Sequence, residues 1–170
     1  AYDQYNGGTA GNGAIAITVK AKDTLSVDET PYGVLLQRVS TANTATIKSD
    51  ISAGKKISIH ADQNALRLTT QTGQISSTVD APVIDIASNN ASAVHLNNEA
   101  SLTFGSETRP SQISISSPED QNAVELASDT STVTFTNSSV EIASGDVASS
   151  GTITLNDTRV DLSDTSDFNT

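Results

Sequence analysis

The chain has 170 residues, a formal net charge of −11, no cysteine, methionine or tryptophan, and only 4% aromatic residues. These counts exclude a disulfide framework, a cysteine-ligated zinc site and a cysteine nucleophile. The acidity argues against nucleic-acid binding, which requires a basic footprint.

The predicted elements are short β-strands, because apolar and polar residues alternate and the apolar spacing of a helix is almost absent. Residues 1–12 are predicted to form a flexible N-terminal stretch, and residues 13–170 a single domain. Its first strands are Ile15–Ile17 and Leu25–Val27. Three strand types, called A, B and C, then recur in the order A-B-C. The A strands are Val34–Leu36, Leu66–Leu68, Val94–Leu96 and Val124–Leu126; the B strands are Ala45–Ile47, Ile75–Val79, Leu102–Phe104 and Val133–Phe135; the C strands are Ile57–Ile59, Ile84–Ile86, Ile113–Ile115 and Val140–Ile142.

The end of the chain continues this pattern. Ile153–Leu155 and Val160–Leu162 repeat the last B and C strands at a constant offset of 20 residues. The segment around Val147 is short, so we expect the A strand of that copy to be degraded or missing.

A repeat of three short strands every 28 to 32 residues predicts a coil of strands. One A-B-C set buries about six aliphatic side chains, which cannot offset backbone ordering of roughly 1–2 kcal/mol per residue. Such a unit must stack on copies of itself, which places A on A, B on B and C on C in three parallel sheets. Inward side chains then form columns, for example Leu36, Leu68, Leu96 and Leu126. An antiparallel β-sandwich is the competing fold, but these strands would give it a poor core.

Two rungs carry a resemblance to a known family. The segments ASAVHLNNEASLTFGSETRPSQISIS and QNAVELASDTSTVTFTNSSVEIAS resemble the passenger domains of bacterial autotransporter adhesins and the filamentous-haemagglutinin type. This resemblance covers about residues 13–162, and it lies in the style of the repeat without a signature motif. It implies a right-handed parallel β-helix, a β-solenoid of about five three-strand rungs, and a fragment of a longer passenger. No functional residue is carried over, because the family shares no fixed binding site.

The resemblance implies an extracellular adhesin module at a bacterial cell surface, without enzymatic activity or a cofactor. It would bind a host-surface protein or glycan, or a ligand on a neighbouring cell, along an extended surface. Self-association is an alternative, because an open β-helix end exposes unpaired strand edges. A purely structural stalk is a further alternative. No run of about 18 apolar residues is present, so we expect no membrane insertion of this segment.

A second function remains open, that of an enzyme acting on polysaccharides as a lyase or hydrolase. The outward positions of the C strands form a predicted column that contains Asp85, Ser114 and Glu141, with Ser58 before them and Asp161 after them. Asp85 and Glu141 are two rung spacings apart, which is about 9–10 Å at the spacing of parallel strands. That distance lies near the upper end for the two carboxyl groups of an inverting hydrolase. A solvated acidic surface is the simpler interpretation.

The basic residues are unevenly distributed. All five lysines precede residue 57, and residues 86–170 carry 2 basic against 12 acidic side chains. The two ends of a rod would therefore differ in electrostatic potential. Lys55 and Lys56 are weak candidates for docking an anionic partner, and repeat drift is the simpler explanation.

Acidic corners, threonine arrays, the two histidines and two carboxylate pairs are further candidate features, and each also has a purely structural explanation. The acidic corners at Asp157 and Asp161–Asp167 could bind Ca²⁺ through oxygen ligands, but a calcium-binding nonapeptide is absent and no metal site is predicted. Thr-x-Thr arrays occur at 132–136 and 152–154, but the B positions taken as equivalent, such as 44–46, break the array that ice binding requires. His60 and His95 are expected to point outward or to lie at corners. The carboxylate pairs 28–29 and 119–120 are expected at corners.

Overall fold

A computed structural model describes residues 15–38 and 46–169, and the regular elements of this part of the chain are all β-strands. The 18 strands form three parallel sheets of six strands each. The predicted β-helix is therefore confirmed as a three-sheet parallel β-solenoid. The stretch 1–12, predicted to be flexible, lies outside the described residues.

Successive strands pass to the first, second and third sheet in turn. The first sheet contains β1 (Ile15–Ala21), β4 (Ile47–Ala53), β7 (Ile75–Asp80), β10 (Ala100–Gly105), β13 (Thr132–Thr136) and β16 (Thr152–Asn156). The second contains β2 (Thr24–Thr30), β5 (Lys56–Ala61), β8 (Val83–Ser88), β11 (Ser111–Ser116), β14 (Ser138–Ser144) and β17 (Arg159–Leu162). The third contains β3 (Val34–Arg38), β6 (Leu66–Thr70), β9 (Val94–Asn97), β12 (Asn122–Leu126), β15 (Asp146–Ser149) and β18 (Phe168–Asn169). We number the rungs from rung 1 (β1–β3) to rung 6 (β16–β18).

The core consists of inward columns of aliphatic side chains. The predicted column of Leu36, Leu68, Leu96 and Leu126 is confirmed, since these leucines are paired residue by residue between rungs and are at most 7% exposed. Among the described residues, the core contains one stacked pair of aromatic rings. The Phe104 ring in rung 4 stacks on the Phe135 ring in rung 5, with 5.3 Å between centroids and 7° between planes. Small branched side chains are suited to this narrow interior, because each strand exposes only every second residue to it.

The predicted B strand Ala45–Ile47 is wrong. Ala45 lies outside the described residues, and the strand of that rung is β4, which begins at Ile47. Ile51 of β4, and not Ile47, pairs with Val79 at the end of β7. Ser49 points into the core and is 2% exposed, so a polar residue at an inward position hid the alternation in the sequence.

The A strand around Val147 is present, contrary to the prediction that it is degraded or missing. It is β15, which pairs with β12 on one side and β18 on the other, and Val147 is 2% exposed. A single residue, Gly145, joins β14 to β15. Its φ of 86° lies in the left-handed region that favours glycine, so the chain turns without a longer corner.

The two carboxylate pairs expected at corners have different positions. Glu119 and Asp120 form the predicted turn between β11 and β12. Asp28 and Glu29 instead lie within β2, where its register with β5 shifts between Val27 and Thr30. The prediction of a corner there is wrong, because a β-bulge accommodates the extra residue inside the strand.

Candidate functional site

The outward column predicted on the C strands exists on the second sheet. Pairing between successive strands places Asp85 beside Ser114, Ser114 beside Glu141, and Glu141 beside Asp161. Ser58 precedes Asp85 in the same column. Asp85 and Glu141 are therefore two strand spacings apart, about 9–10 Å along the rod. Both candidate carboxylates share one solvent-facing surface.

A lysine and a histidine side chain approach the carboxylate of Asp85. The Lys56 Nζ atom lies 3.1 Å from its Oδ2 atom, and the His60 Nε2 atom lies 3.3 Å from the same oxygen. His60 also lies within 3.4 Å of the Ser58 hydroxyl. The prediction that His60 points outward is confirmed. Lys56 and Asp85 thus form an ion pair at one end of the surface.

A second ion pair lies at the other end. Arg159 donates through Nε at 2.9 Å and approaches with a terminal nitrogen at 2.8 Å to the Oδ1 atom of Asp161. Both side chains are well exposed, at 78% and 48%. Exposed pairs of this kind stabilise a fold by at most about 1 kcal/mol. They can nevertheless be exchanged for contacts with a charged or polar ligand at little cost.

An open groove runs between these two ion pairs. Its polar floor is formed by Gln112, Ser114, Ser139 and Glu141, and Val83 and Leu162 contribute exposed apolar surface at its border. Within the described part of the chain, these four polar side chains make no hydrogen bond to other side chains or to the backbone. We call this surface the second-sheet groove. It offers an amide, two hydroxyls and a carboxylate to a ligand that both donates and accepts hydrogen bonds.

The outer face of the third sheet carries a ladder that sequence reasoning missed. Arg67, His95 and Glu125 are direct neighbours on β6, β9 and β12. The Arg67 guanidinium lies 5.7 Å from the centroid of the Tyr32 ring. These three residues occupy the middle positions of successive A triplets, so aligning the triplets would have predicted the ladder.

Glu125 is the central acceptor of this ladder. Its Oε2 atom lies 2.8 Å from His95 Nδ1 and accepts a 2.7 Å hydrogen bond from the Ser92 hydroxyl. The hydrogen bond with His95 holds the pKa of Glu125 below its usual value; partial burial opposes this effect, and Ser92 adds to it. His95 points outward, as predicted. Because both Ser92 and His95 bind the carboxylate and not each other, the group lacks the serine–histidine contact of a nucleophilic triad.

The hydroxyl-bearing face of the first sheet is more regular than the sequence suggested. The residues equivalent to Thr132 and Thr134 are Ser101 and Thr103 in rung 4, and Ser76 and Thr78 in rung 3. In rung 2 the same positions hold Lys48 and Asp50, which pair with each other at 3.4 Å. The assignment of residues 44–46 to these positions is wrong, but charged side chains still interrupt the array. Ordinary β-propensity accounts for its threonines.

Lys55 has a local partner, and the acidic end of the chain contains two hydrogen bonds to one carboxylate. Lys55 approaches Asp23 at 2.8 Å, and both side chains are more than half exposed. At the acidic end, Asp146 accepts hydrogen bonds from the Asp167 backbone and the Asn169 amide. In residues 15–38 and 46–169, no three histidine or acidic side chains cluster closely enough to hold a metal ion.

No helix in the described segments has the length and hydropathy required to cross a membrane. Comparisons with family models, with curated proteins and with solved structures found no match to this chain.

Proposed function

We propose that this chain is a non-enzymatic ligand-binding module of a bacterial surface protein, of the autotransporter-adhesin type, exposed outside the cell. Two observations support the proposal: the solenoid architecture, which is compatible with a passenger domain, and the repeat style of the sequence. A solenoid presents long, nearly flat outer faces whose side chains recur at the strand spacing, which suits the binding of an extended ligand.

The observation that carries the proposal is the second-sheet groove. Gln112, Ser114, Ser139 and Glu141 face solvent in adjacent rungs without internal hydrogen-bond partners, and ion pairs flank them at both ends. Several serines elsewhere in the fold are engaged by the backbone; for example, Ser88 donates to the Gln63 carbonyl at 2.6 Å. Hydroxyl groups of a glycan both donate and accept, as these groove side chains require, so a host or neighbouring-cell glycan is the first ligand to test.

A glycan array followed by titration of the best ligand tests this proposal. The groove variant combines Gln112→Ala with Glu141→Gln, and the control variant combines Thr103→Ala with Thr134→Ala on the first sheet. We expect the groove variant to bind at least about tenfold more weakly, equivalent to about 1.4 kcal/mol, and the control to bind like the wild type. Equal loss in both variants, or binding to host proteins but to no glycan, would contradict the glycan proposal. Binding to neither class would leave a structural stalk.

The enzymatic alternative rests on Asp85 and Glu141, whose column the strand register confirms. Incubation with acidic and neutral polysaccharides, followed by assay of new chain ends, separates this alternative from binding alone. Turnover that Glu141→Gln abolishes would replace the adhesin proposal with a polysaccharide-acting enzyme. Binding without turnover is the result we expect.

A further inference from the structure

Arg67 on β6 carries a charge that the fold does not pair with a carboxylate. Of the arginine side chains that the structure describes, Arg109 and Arg159 each bond to an aspartate, at 3.0 and 2.8 Å, whereas Arg67 forms no ion pair. A guanidinium has five N–H donors. Among the described residues, those of Arg67 find one acceptor, the Tyr32 hydroxyl, which lies 3.5 Å from a terminal nitrogen.

Part of the Arg67 guanidinium is also shielded from water. Its Nε atom is buried without a hydrogen-bond partner, and burying an unpaired donor of a charged group costs free energy. The carboxylate of the same ladder is engaged elsewhere, because Glu125 Oε2 bonds to His95 at 2.8 Å and to Ser92 at 2.7 Å. The second terminal nitrogen of Arg67 has no partner either, but it is not buried. The guanidinium therefore lacks acceptor oxygens and keeps an accessible edge.

The fold holds Tyr32 against one face of this guanidinium. The Tyr32 ring centroid lies 5.7 Å from the guanidinium carbon of Arg67. The Thr30 hydroxyl donates to the Tyr32 carbonyl at 2.9 Å. Gly33 follows at a close approach between rungs, where a Cβ atom would lie 2.6 Å from the Ala65 carbonyl oxygen. These contacts set the plane of the guanidinium before a ligand arrives, which lowers the ordering cost of binding.

Neutral polar groups adjoin Arg67 on the same outer face. Thr69 follows two residues later on β6, about 6.6 Å along the strand, and pairs with Asn97 on β9. In the part of the chain that the structure describes, the Thr69 hydroxyl makes no hydrogen bond, and the Asn97 side chain accepts one through Oδ1 from the next backbone N–H. The Asn97 amide nitrogen and the Thr69 hydroxyl thus remain available beside a cation.

We propose that this face of the third sheet binds a carboxylate-bearing sugar, such as a uronic acid residue of a polysaccharide. The carboxylate accepts hydrogen bonds from the terminal nitrogens of Arg67, and ring hydroxyls bond to Thr69 and Asn97. A planar carboxylate matches the fork of a guanidinium. This inference goes beyond the proposed function, because it concerns a different face from the second-sheet groove and does not depend on it.

The charge distribution favours an acidic sugar in this part of the rod. Residues 1–85 carry 7 basic and 8 acidic side chains, so their net charge is 7 − 8 = −1. Residues 86–170 carry 2 basic and 12 acidic side chains, so their net charge is 2 − 12 = −10. Arg67 belongs to the nearly neutral half, where a ligand with one negative charge meets less repulsion than it would farther along the rod.

Two pairs of methyl glycosides test the inference. Glucuronate and galacturonate glycosides carry the carboxylate, and those of glucose and galactose have the same rings without it. An NMR titration follows the Arg67 Nε–H resonance and the backbone amides of β6 and β9. We expect at least one uronate to shift these resonances, and its neutral counterpart to leave them unchanged at equal concentration.

Variants then locate the site. Arg67→Lys keeps the charge but loses the fork, so uronate binding should weaken at least about tenfold. Thr69→Val removes one hydroxyl and should weaken binding about threefold. Arg159→Lys, the matched control on the second sheet, should bind like the wild type, and so should the groove variant that combines Gln112→Ala with Glu141→Gln. If Arg67→Lys loses its native amide spectrum, Arg67→Gln replaces it.

Several results would overturn the inference. No shift with either uronate, or equal binding of the neutral glycosides, would show that no carboxylate-bearing sugar is recognised. Acetate bound as tightly as the uronates would indicate an adventitious ion only. Equal loss in Arg67→Lys and Arg159→Lys would indicate unspecific attraction, and loss in the groove variant alone would place uronate binding in the second-sheet groove. Tighter binding of a glutamate-rich peptide would assign the site to an acidic protein segment.

Discussion

The middle and the outermost rungs use the same apolar–polar–apolar triplet but bury it to very different degrees. Ile84 and Ile86 in β8 are 0% exposed, whereas Leu162, which occupies the Ile86 column in rung 6, is 37% exposed. The residue type is nearly the same, so a neighbouring rung on both sides, and not the local sequence, decides burial. In a solenoid the stability of each rung therefore depends on its neighbours.

The largest expected effect compares one substitution at two positions. Leu96→Ala in β9 leaves a cavity between rungs at a side chain that is 0% exposed, and we expect a loss of about 2–5 kcal/mol in the free energy of unfolding. Leu162→Ala in β17 removes partly hydrated surface, and we expect a loss of less than about 1.5 kcal/mol. Urea unfolding monitored by circular dichroism measures both. Equal losses would show that rung 6 is covered in solution.

A smaller effect concerns one corner in successive rungs. Asn137 (φ 48°) and Asp157 (φ 47°) occupy equivalent positions in rungs 5 and 6, both in the left-handed region. Replacing either by alanine should lower the free energy of unfolding by about 1 kcal/mol. A positive φ crowds the Cβ atom of any L-residue, and alanine lacks the short polar side chain with which asparagine and aspartate offset this strain through local hydrogen bonds. The cost is local, so we expect it to be similar at both positions, unlike the burial effect.

Thermal unfolding of the two alanine variants, each beside its glycine counterpart, tests this prediction. Glycine adopts a positive φ without a steric penalty, so Asn137→Gly and Asp157→Gly should remain close to the wild type. A markedly larger loss of stability for Asn137→Ala than for Asp157→Ala would mean that contacts with the neighbouring rungs also contribute at this corner.

The smallest expected effect is a pH dependence in the middle rungs. The folded-state pKa of Glu125 is lowered, chiefly by its hydrogen bond with His95, so its ionised form stabilises the fold. This contribution is fully present above the unfolded-state pKa, about 4.3, and is lost as the pH falls through the lower folded-state pKa. We expect wild type to exceed Glu125→Gln in stability by at most about 1 kcal/mol near neutral pH.

Urea midpoints of the wild type and Glu125→Gln, measured from neutral to strongly acidic pH, test this dependence. The stability advantage of the wild type should shrink as the pH falls below about 5. A difference that grows on acidification would contradict the direction of the Glu125 pKa shift.

Much of the fold could be predicted because burial in a solenoid is periodic. The A and C strands, and the column from Leu36 to Leu126, follow from alternating aliphatic residues at intervals near thirty. Prediction failed where that signal weakened. Ser49 is polar but points inward, and β15 contributes a single large aliphatic side chain, Val147, after a one-residue corner.

The candidate site could be predicted only in part. The column of Asp85, Ser114 and Glu141 followed from the spacing of the C triplets, because strand register fixes which residues share a face. The ion pair between Lys56 and Asp85 joins different strand positions in neighbouring rungs, and no periodicity indicates it. The second-sheet groove is defined by such side-chain partners, so it became visible only in three dimensions.

The sequence by itself determined the repeat, the three strand types and the residues that share a column, because each depends on spacing along the chain. Tertiary structure alone decided which polar side chains are satisfied, where charged groups such as Lys56 find partners, and how deeply each of the described rungs is buried. The physical reason is that burial and ion pairing depend on what lies above and below a rung. Similar triplets are therefore fully buried at Ile86 and partly exposed at Leu162.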